Sequence, residues 1–401
     1  QPPAAAQPAQ PPAAQGAPER RPSPLVAPAA PAQPQPPAAQ GGPGRAQPLV
    51  APVAPPQPQP PAGQGGTPSA PAAAAGPNGG PAGITEPVRG PRDAREFIRR
   101  DDQPGRRLDD IREERREIRE GDRLVIREPG RLIIREGDRT IIRHNEAERF
   151  AIDARDVRTE RRGNRNITIV ERPNGVRIVT VTDDEGRLIR RVRREPSGRE
   201  IVIIDNSFGY ERPDAYYVDI PPPVVRIPRE RYIVEAERAT FADVYGVLTA
   251  PPVQHIERRY TLDQVRYSHP LREYMPRVDL DITFDTGSWQ ITPDQFDRLA
   301  VIADAINRAI ASNPREVFLI EGHTDAVGSD VDNLSLSDRR AEAVAVALTE
   351  RFQVPAENLV TQGYGEQYLK VPTQEPERAN RRVAVRRITP LIEQSSRQGD
   401  R

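Results

Sequence analysis

In the stretch EGHTDAVGSDVDNLSLSDRRAEAV (321–344), one carboxylate, Asp325, precedes one guanidinium, Arg340, by fifteen residues. Asp325 falls in a short acidic loop in which Gly328 allows a turn, and Arg340 falls in the first turns of the helix that follows. A loop that folds back brings both side chains to one crevice, where an anion and a cation together suit a zwitterion. Its ammonium group would meet Asp325 and its carboxylate would meet Arg340. A guanidinium grips a carboxylate through two parallel hydrogen bonds, which lysine cannot do. Backbone N–H groups around Asn333 to Ser337, near the helix start, would add donors to the carboxylate. Each charge-assisted bond contributes about 1.5–3 kcal/mol, which predicts moderate binding. The plain alternative is a structural ion pair, with Arg340 on a solvated helix face beside Arg339.

The elements that must hold these two residues are legible as an α/β pattern. VDLDITF (278–284) alternates like a strand. Thr292, Pro293 and Asp294 form a helix-start signature: a cap, proline at the first position and an acid in the first turn. Phe296, Leu299, Ile302, Ile306 and Ile310 repeat at helical spacing as far as Asn313-Pro314. EVFLIEG (316–322) reads as a buried strand, 333–352 as a second helix, NLVTQGYG (358–365) as a strand and its turn, and RRVAVRRI (381–388) as a last strand. The order β-α-β-α-β-β predicts two helices packed on one side of a small mixed sheet.

GHTDAVGSDVDNLSLSDRRAEAV, GYGEQ (363–367) and NRRVAV (380–385) together resemble the C-terminal domain of the OmpA family, in order and at compatible spacing, over 278–390. The resemblance implies non-covalent binding of peptidoglycan, held by the meso-diaminopimelate of its stem peptide. The motif's aspartate and arginine map onto Asp325 and Arg340. Asn333 matches the asparagine before the Leu-Ser block and would shape the pocket. Thr324 would either contact ligand or order the loop. His323 is expected to be structural, while Asn380, Arg381 and Arg382 would brace the fold or meet the glycan. The resemblance also implies a protein of the periplasm or outer-membrane surface, with the outer membrane or one of its proteins as a further partner. This sequence shows neither the membrane barrel, the lipid-bearing cysteine nor the membrane helix found among members of that family.

The remainder of the chain frames this region. Of its 401 residues only 36% are hydrophobic, and the 46 prolines crowd toward the N-terminus, so a multidomain chain is expected rather than one core. Residues 1–90 are Pro/Ala/Gln-rich, and PLVAPAAPAQPQPPAAQGG (24–42) returns as PLVAPVAPPQPQPPAGQGG (48–66). Such sequence buries too little apolar surface to offset chain entropy, which predicts a disordered tether reaching on the order of 250 Å. RRLDDIREERREIREGD, within 91–122, reads as a solvated helix ended by Gly121. Across 123–206, the eight-residue repeat RLVIREPG, RLIIREGD, RTIIRHNE and the set NITIVERPNG to REIVIIDN predict an antiparallel meander. Its strands are shorter than the roughly 9–11 residues that cross a bilayer in a barrel. Residues 207–275 read as an irregular connector with short helices near 240–248 and 261–274, 276–390 as the OmpA-like domain, and 391–401 as a disordered tail.

Several function classes are set aside at this level. The chain carries 58 basic and 58 acidic residues, which argues against nucleic acid as partner. Nearly all the basic residues are arginine, read here as a coding bias. No cysteine is present, so disulfides, thiolate metal sites and cysteine nucleophiles are excluded. No apolar run is long enough for a transmembrane helix. The chain begins at Gln1, which leaves room for a removed leader. His144, His255, His269 and His323 are scattered, with no H-x-x-E-H or G-x-S-x-G arrangement, so no enzyme, metal site or cofactor is expected. The competing class is an envelope protein–protein scaffold, in which the Asp325/Arg340 pair is only structural.

Overall fold

The computed structural model describes residues 106–137, 139–209, 216 and 218–393. The expected tether 1–90, the start of the charged segment and the tail beyond Glu393 lie outside the described residues. The amphipathic run at 296–310 forms a helix because its apolar residues share one stripe: Leu299, Ile302, Ala303, Ile306, Ala309 and Ile310 are all buried. EVFLIEG forms a strand buried on both faces. Phe318 and Ile320 point into the core shared with that helix, while Val317 and Leu319 belong to a second core on the other side.

In chain order the elements begin with α1 (Leu108–Glu114), β1 (Arg116–Glu120), β2 (Arg123–Glu128), β3 (Arg131–Glu136) and β4 (Arg139–His144). Next come α2 (Ala147–Phe150), β5 (Asp156–Arg162), β6 (Arg165–Glu171), β7 (Arg177–Asp183), β8 (Leu188–Arg194) and β9 (Glu200–Asp205). The stretch after β9 holds α3 (Arg229–Tyr232), β10 (Ile233–Glu235), α4 (Phe241–Leu248), α5 (Leu262–Tyr267) and α6 (His269–Arg272). The C-terminal region is β11 (Arg277–Leu280), α7 (Phe296–Ser312), β12 (Phe318–Gly322), α8 (Asp330–Phe352), β13 (Leu359–Gly363), β14 (Val383–Arg387) and α9 (Thr389–Ile392).

The C-terminal sheet has the order β10-β11-β14-β12-β13. It is mixed: β10 runs parallel to β11 and β12 parallel to β13, while β14 is antiparallel to both its neighbours. Helices α7 and α8 cover one face. The connector 207–275 is more ordered than its sequence suggests, because β10 extends this sheet and Val244, Val247 and Leu248 of α4 join the core of α7 and α8. The C-terminal tail also starts later than expected, since Leu391 and Ile392 of α9 are buried against Tyr260 and Leu262.

The charged segment corrects a reading from sequence. It is helical only to Glu114, after which β1 pairs antiparallel with β2. RREIREGD (115–122) is a further copy of the eight-residue repeat, and Gly121, at a φ of 62°, supplies the left-handed turn that closes a hairpin. The ladder to β2 outcompetes the weak charge pairs of a lone solvated helix. The expected meander is in fact two sheets, β1-β2-β3-β4 and β5-β6-β7-β8-β9, each wholly antiparallel.

Neither sheet stands apart from the α/β region. Ile126, Ile133 and Ile142 of the first sheet enclose Leu334 of α8. Ile201, Ile203 and Ile204 of β9 join Leu262, Val265 and Leu271 of α5 and α6 in one core with Val317, Leu319 and Val360, on the face of the C-terminal sheet that α7 and α8 leave open. Phe150, Val157, Val170 and Ile178 pack with Ala356. Charges follow the same seams: Glu357 accepts from Arg172 at 3.0 Å and from Arg193 at 2.7 Å.

His144 closes the seam between β4 and α8. Its Nδ1 lies 3.0 Å from Asp338 and its Nε2 3.3 Å from Glu342. Burial alone would lower its pKa, but the two carboxylates outweigh that and raise it to about 9. Asp338 and Glu342 are themselves held well below the ordinary carboxylate range, since His144, Arg131 and Arg149 overcome the opposing effect of burial. Because the folded pKa of His144 lies above its unfolded value, its stabilisation is complete below about pH 6.5 and is lost as pH rises through about 9. The two carboxylates contribute in the opposite sense and lose their stabilisation on acidification. Denaturant unfolding across pH should therefore show a loss of up to about 3 kcal/mol between pH 6.5 and 9, and His144→Gln should flatten that decline.

Candidate functional site

The loop 323–329 leaves the end of β12 and returns into α8, whose first turn is capped by Ser329, its Oγ accepting from the Asp332 amide at 3.2 Å. Two glycines let α8 lie close to the sheet. Gly322 and Gly363 are register partners on β12 and β13. A Cβ on Gly322 would meet the Ser337 carbonyl oxygen at 1.9 Å, and one on Gly363 would meet the Asp338 nitrogen at 2.3 Å. Neither position admits a side chain while the helix stays where it is, and Arg340 is carried on the next turn.

Arg340 is only 1% exposed. Its Nε donates to the Ser288 carbonyl at 3.0 Å and its Nη2 to the Asp285 carbonyl at 3.3 Å. The guanidinium also lies over the Phe284 ring, 5.0 Å from its centroid. Its Nη1 is buried with no hydrogen-bond partner in the described chain. Burial, and after it the charge of Arg381, push the Arg340 pKa down to about 10, with Asp325 pulling the other way.

Asp325 is buried, and its Oδ2 accepts from Arg381 Nη1 at 2.6 Å. Among the described residues, Asp325 and Arg340 share neither a hydrogen bond nor an ion pair. They belong to one electrostatic cluster, in which Arg381 pairs with Asp325 and its charge, like that of Asp325, is felt at Arg340. Two guanidiniums and one carboxylate leave the cluster with a net positive charge.

Thr324 is anchored by its backbone, which donates to the Gly365 carbonyl at 3.0 Å, while its buried Oγ1 has no partner among the described residues. Asn333 donates from Nδ2 to Glu366 at 2.6 Å, tying the start of α8 to the turn after β13. Thr324 and Asn333 thus converge on the Gly365–Glu366 turn, beside the charged cluster. His323 is buried and stacks on Tyr364. Burial first, and the surrounding arginines after it, hold its pKa well below the usual histidine value, so it is neutral.

The three residues at 380–382 do different things. Asn380 clamps its own loop, accepting from Lys370 and Val371 amides at 2.7 and 2.9 Å and donating to the Val371 carbonyl at 2.8 Å. Arg382 donates to the Tyr368 carbonyl at 3.1 Å. Arg381 instead reaches the site, a role that sequence reasoning did not give it. The signal was available in the register: Gly322 pairs with Val383, so the antiparallel ladder continued past Gly322 brings residue 381 beside the loop that holds Asp325.

With this geometry in place, relatives can be compared. Residues 283–382 match the OmpA family model. Over 117 residues the chain is 32% identical to outer membrane porin F of Pseudomonas aeruginosa, covering 29% of this chain and 31% of that protein. Over 111 residues it is 33% identical to the putative lipoprotein YfiB of Escherichia coli, covering 27% of this chain and 67% of that relative. The peptidoglycan-associated lipoprotein of Burkholderia pseudomallei aligns with a TM-score of 0.23 at 24% identity, over 26% of this chain and 86% of that one. Through its C-terminal region the chain belongs to the OmpA family. It spans less than a third of the length of porin F.

The contact of α8 with the sheet gives a direct test of how the site is positioned. Gly322→Ala should lower stability by about 1–3 kcal/mol, as overpacking does, and shift the urea midpoint accordingly. Gly246→Ala, where an added Cβ meets nothing within 4 Å, should leave the midpoint in place or raise it slightly.

Proposed function

We propose that the C-terminal region binds peptidoglycan non-covalently through the meso-diaminopimelate of its stem peptide, and so ties the cell wall to the outer layer of the envelope. The observation that carries this reading is the buried, incompletely satisfied Arg340 beside the Asp325–Arg381 pair. A buried guanidinium nitrogen without a partner is costly, and an incoming carboxylate would satisfy it. The ligand's carboxylate would take Arg340 Nη1 and, at the rim, Arg381. Its ammonium would take the Asp325 oxygen that Arg381 leaves free. Thr324 Oγ1 would contribute a further hydrogen bond, and Asn333 would keep the loop and the Gly365–Glu366 turn in position.

Family membership supports the same assignment and a location in the cell envelope, which this reading takes to be the periplasmic side of the outer membrane. The role is binding, without catalysis and without a cofactor. No helix among the described residues is long and apolar enough to cross a membrane. Attachment to the outer layer would therefore fall to another part of the protein or to a partner.

Co-sedimentation of the full chain with purified walls tests this reading. Wild type should pellet with diaminopimelate-type wall in preference to lysine-type wall, and added salt should weaken the binding. Asp325→Asn and Arg340→Lys, which keep the side-chain volume nearly unchanged, should each reduce affinity by about tenfold or more, the scale of one charge-assisted bond. Undiminished binding by both variants, with unfolding midpoints intact, would leave Asp325 and Arg340 as structural residues only.

A further inference from the structure

Among the described residues, the edge strand β1, Arg116-Glu117-Ile118-Arg119-Glu120, is exposed along its whole length and pairs on one side only, with β2. An open edge offers a row of unpaired N–H and C=O groups to another strand. In the hairpin β1–β2 the residues flanking the two-residue turn are Glu120 and Arg123. Hydrogen bonding alternates along such a ladder, so Arg116, Ile118 and Glu120 bond to β2 while the amides and carbonyls of Glu117 and Arg119 face outward.

The charges on this edge are self-complementary. Two copies laid antiparallel with Ile118 opposite Ile118 place Arg116 opposite Glu120 and Glu117 opposite Arg119, in both directions. The same register sets the outward N–H and C=O groups of Glu117 against those of the partner's Arg119. None of these four charged side chains has an ion-pair partner among the described residues.

The outer face of the sheet continues the match. Ile118, Val125, Ile134 and Ile141 form one cross-strand row. That row ends at Ile118, which is 41% exposed. Beside it runs the row Glu120, Arg123, Glu136 and Arg139, alternating in sign, with Arg123 and Glu136 3.2 Å apart. Across the twofold axis the apolar row would join its own copy, and Arg116 of the second copy would extend the alternation at Glu120.

We infer that β1 is the site at which two copies of this chain associate, edge to edge and antiparallel about Ile118, forming one continuous eight-stranded sheet. The contact is isologous and closes on itself, so it ends at a dimer rather than a fibre. A five-residue edge buries less than a standard stable interface, and the dimer is therefore weak and concentration-dependent. The inference does not depend on the reading of the ligand site.

Sedimentation velocity of the full chain, from low micromolar to submillimolar concentration, reads it out. Wild type should shift reversibly from monomer to dimer. Arg116→Glu/Arg119→Glu turns the edge wholly acidic and Glu117→Arg/Glu120→Arg turns it wholly basic. Each should weaken self-association by about tenfold or more, because like charges then stand directly opposite. Mixing the two variants should restore a dimer containing one of each, and combining all four substitutions in one chain should restore the homodimer. All four residues are exposed, so thermal unfolding of the variants should match wild type. A wild type that stays monomeric throughout, a dimer indifferent to both charge reversals, or a mixture that does not reassociate would each overturn the assignment.

Discussion

The first half of α8 is buried on two sides. Gly322 and Gly363 let its backbone rest on β12 and β13, and Ile126, Ile133 and Ile142 close over Leu334 on the other side. Yet the sequence there, DVDNLSLSDRRAEAV, is among the most polar in the α/β region. A buried charge must be paired and hydrogen-bonded, since desolvation otherwise costs several kcal/mol. This constraint explains the dense ionic seam. Asp332 is held by Arg112 and Arg115, Asp338 by Arg131 and His144, Arg339 by Glu128, and Glu342 by His144 and Arg149. Each partner comes from the stretch 112–149, so the first sheet together with its flanking segments α1 and α2 is what allows this helix to carry its charges. Among the described residues of that half, Arg340 alone is a fully buried charge whose contacts are carbonyl oxygens rather than a carboxylate. The incompletely satisfied group and the candidate site coincide.

The same constraint gives meaning to the arginine excess, which from composition alone looks like coding bias. Arg386 meets Glu321 through two nitrogens while also donating to the carbonyls of Arg272 and Met275. Arg191 bridges Glu146 and the Glu357 carbonyl. Lysine's ammonium can also meet two carboxylates, as Lys370 does with Glu235 and Asp279, but it has three donors on one atom and no flat fork to pair two oxygens side by side. The planar fork serves several, which is what a seam between a sheet and a helix requires.

The α/β region was legible because its signals were strong and local. The helical stripe of 296–310 and the apolar run 316–322 are each decided by burial of nearby residues. The loop holding Asp325 was legible for the same reason: it sits between two such elements. Three other features depend on distant partners. Residues 233–235 become a strand only because β11 offers an edge. The open face of the C-terminal sheet shares a core with Leu262, Val265 and Leu271 of α5 and α6 and with β9, which lies over a hundred residues before β12, a contact that no local pattern announces. Arg381 reaches Asp325 by strand register, and in sequence it looks like the first of two interchangeable arginines.

The segment 115–122 was misread for a more specific reason. In the later repeat units the third and fourth positions are both apolar, as in Val125-Ile126, Ile133-Ile134 and Ile141-Ile142. Alternation along a strand sends one of each pair inward to α8 and the other outward. The first unit has Glu117-Ile118 instead. Its outward position keeps the apolar row, and its inward position carries a charge. Leu334 and Val331 pack with β2, β3 and β4, but no residue of β1 joins that cluster. At the edge, beyond the cover of the helix, an inward isoleucine would be exposed, and a glutamate there costs nothing. A helix would leave Ile118 in solvent as surely as the strand does, so hydrophobic spacing could not separate the two. The Gly-Asp pair at 121–122 could, because the same pair ends the third unit of the repeat, at 137–138.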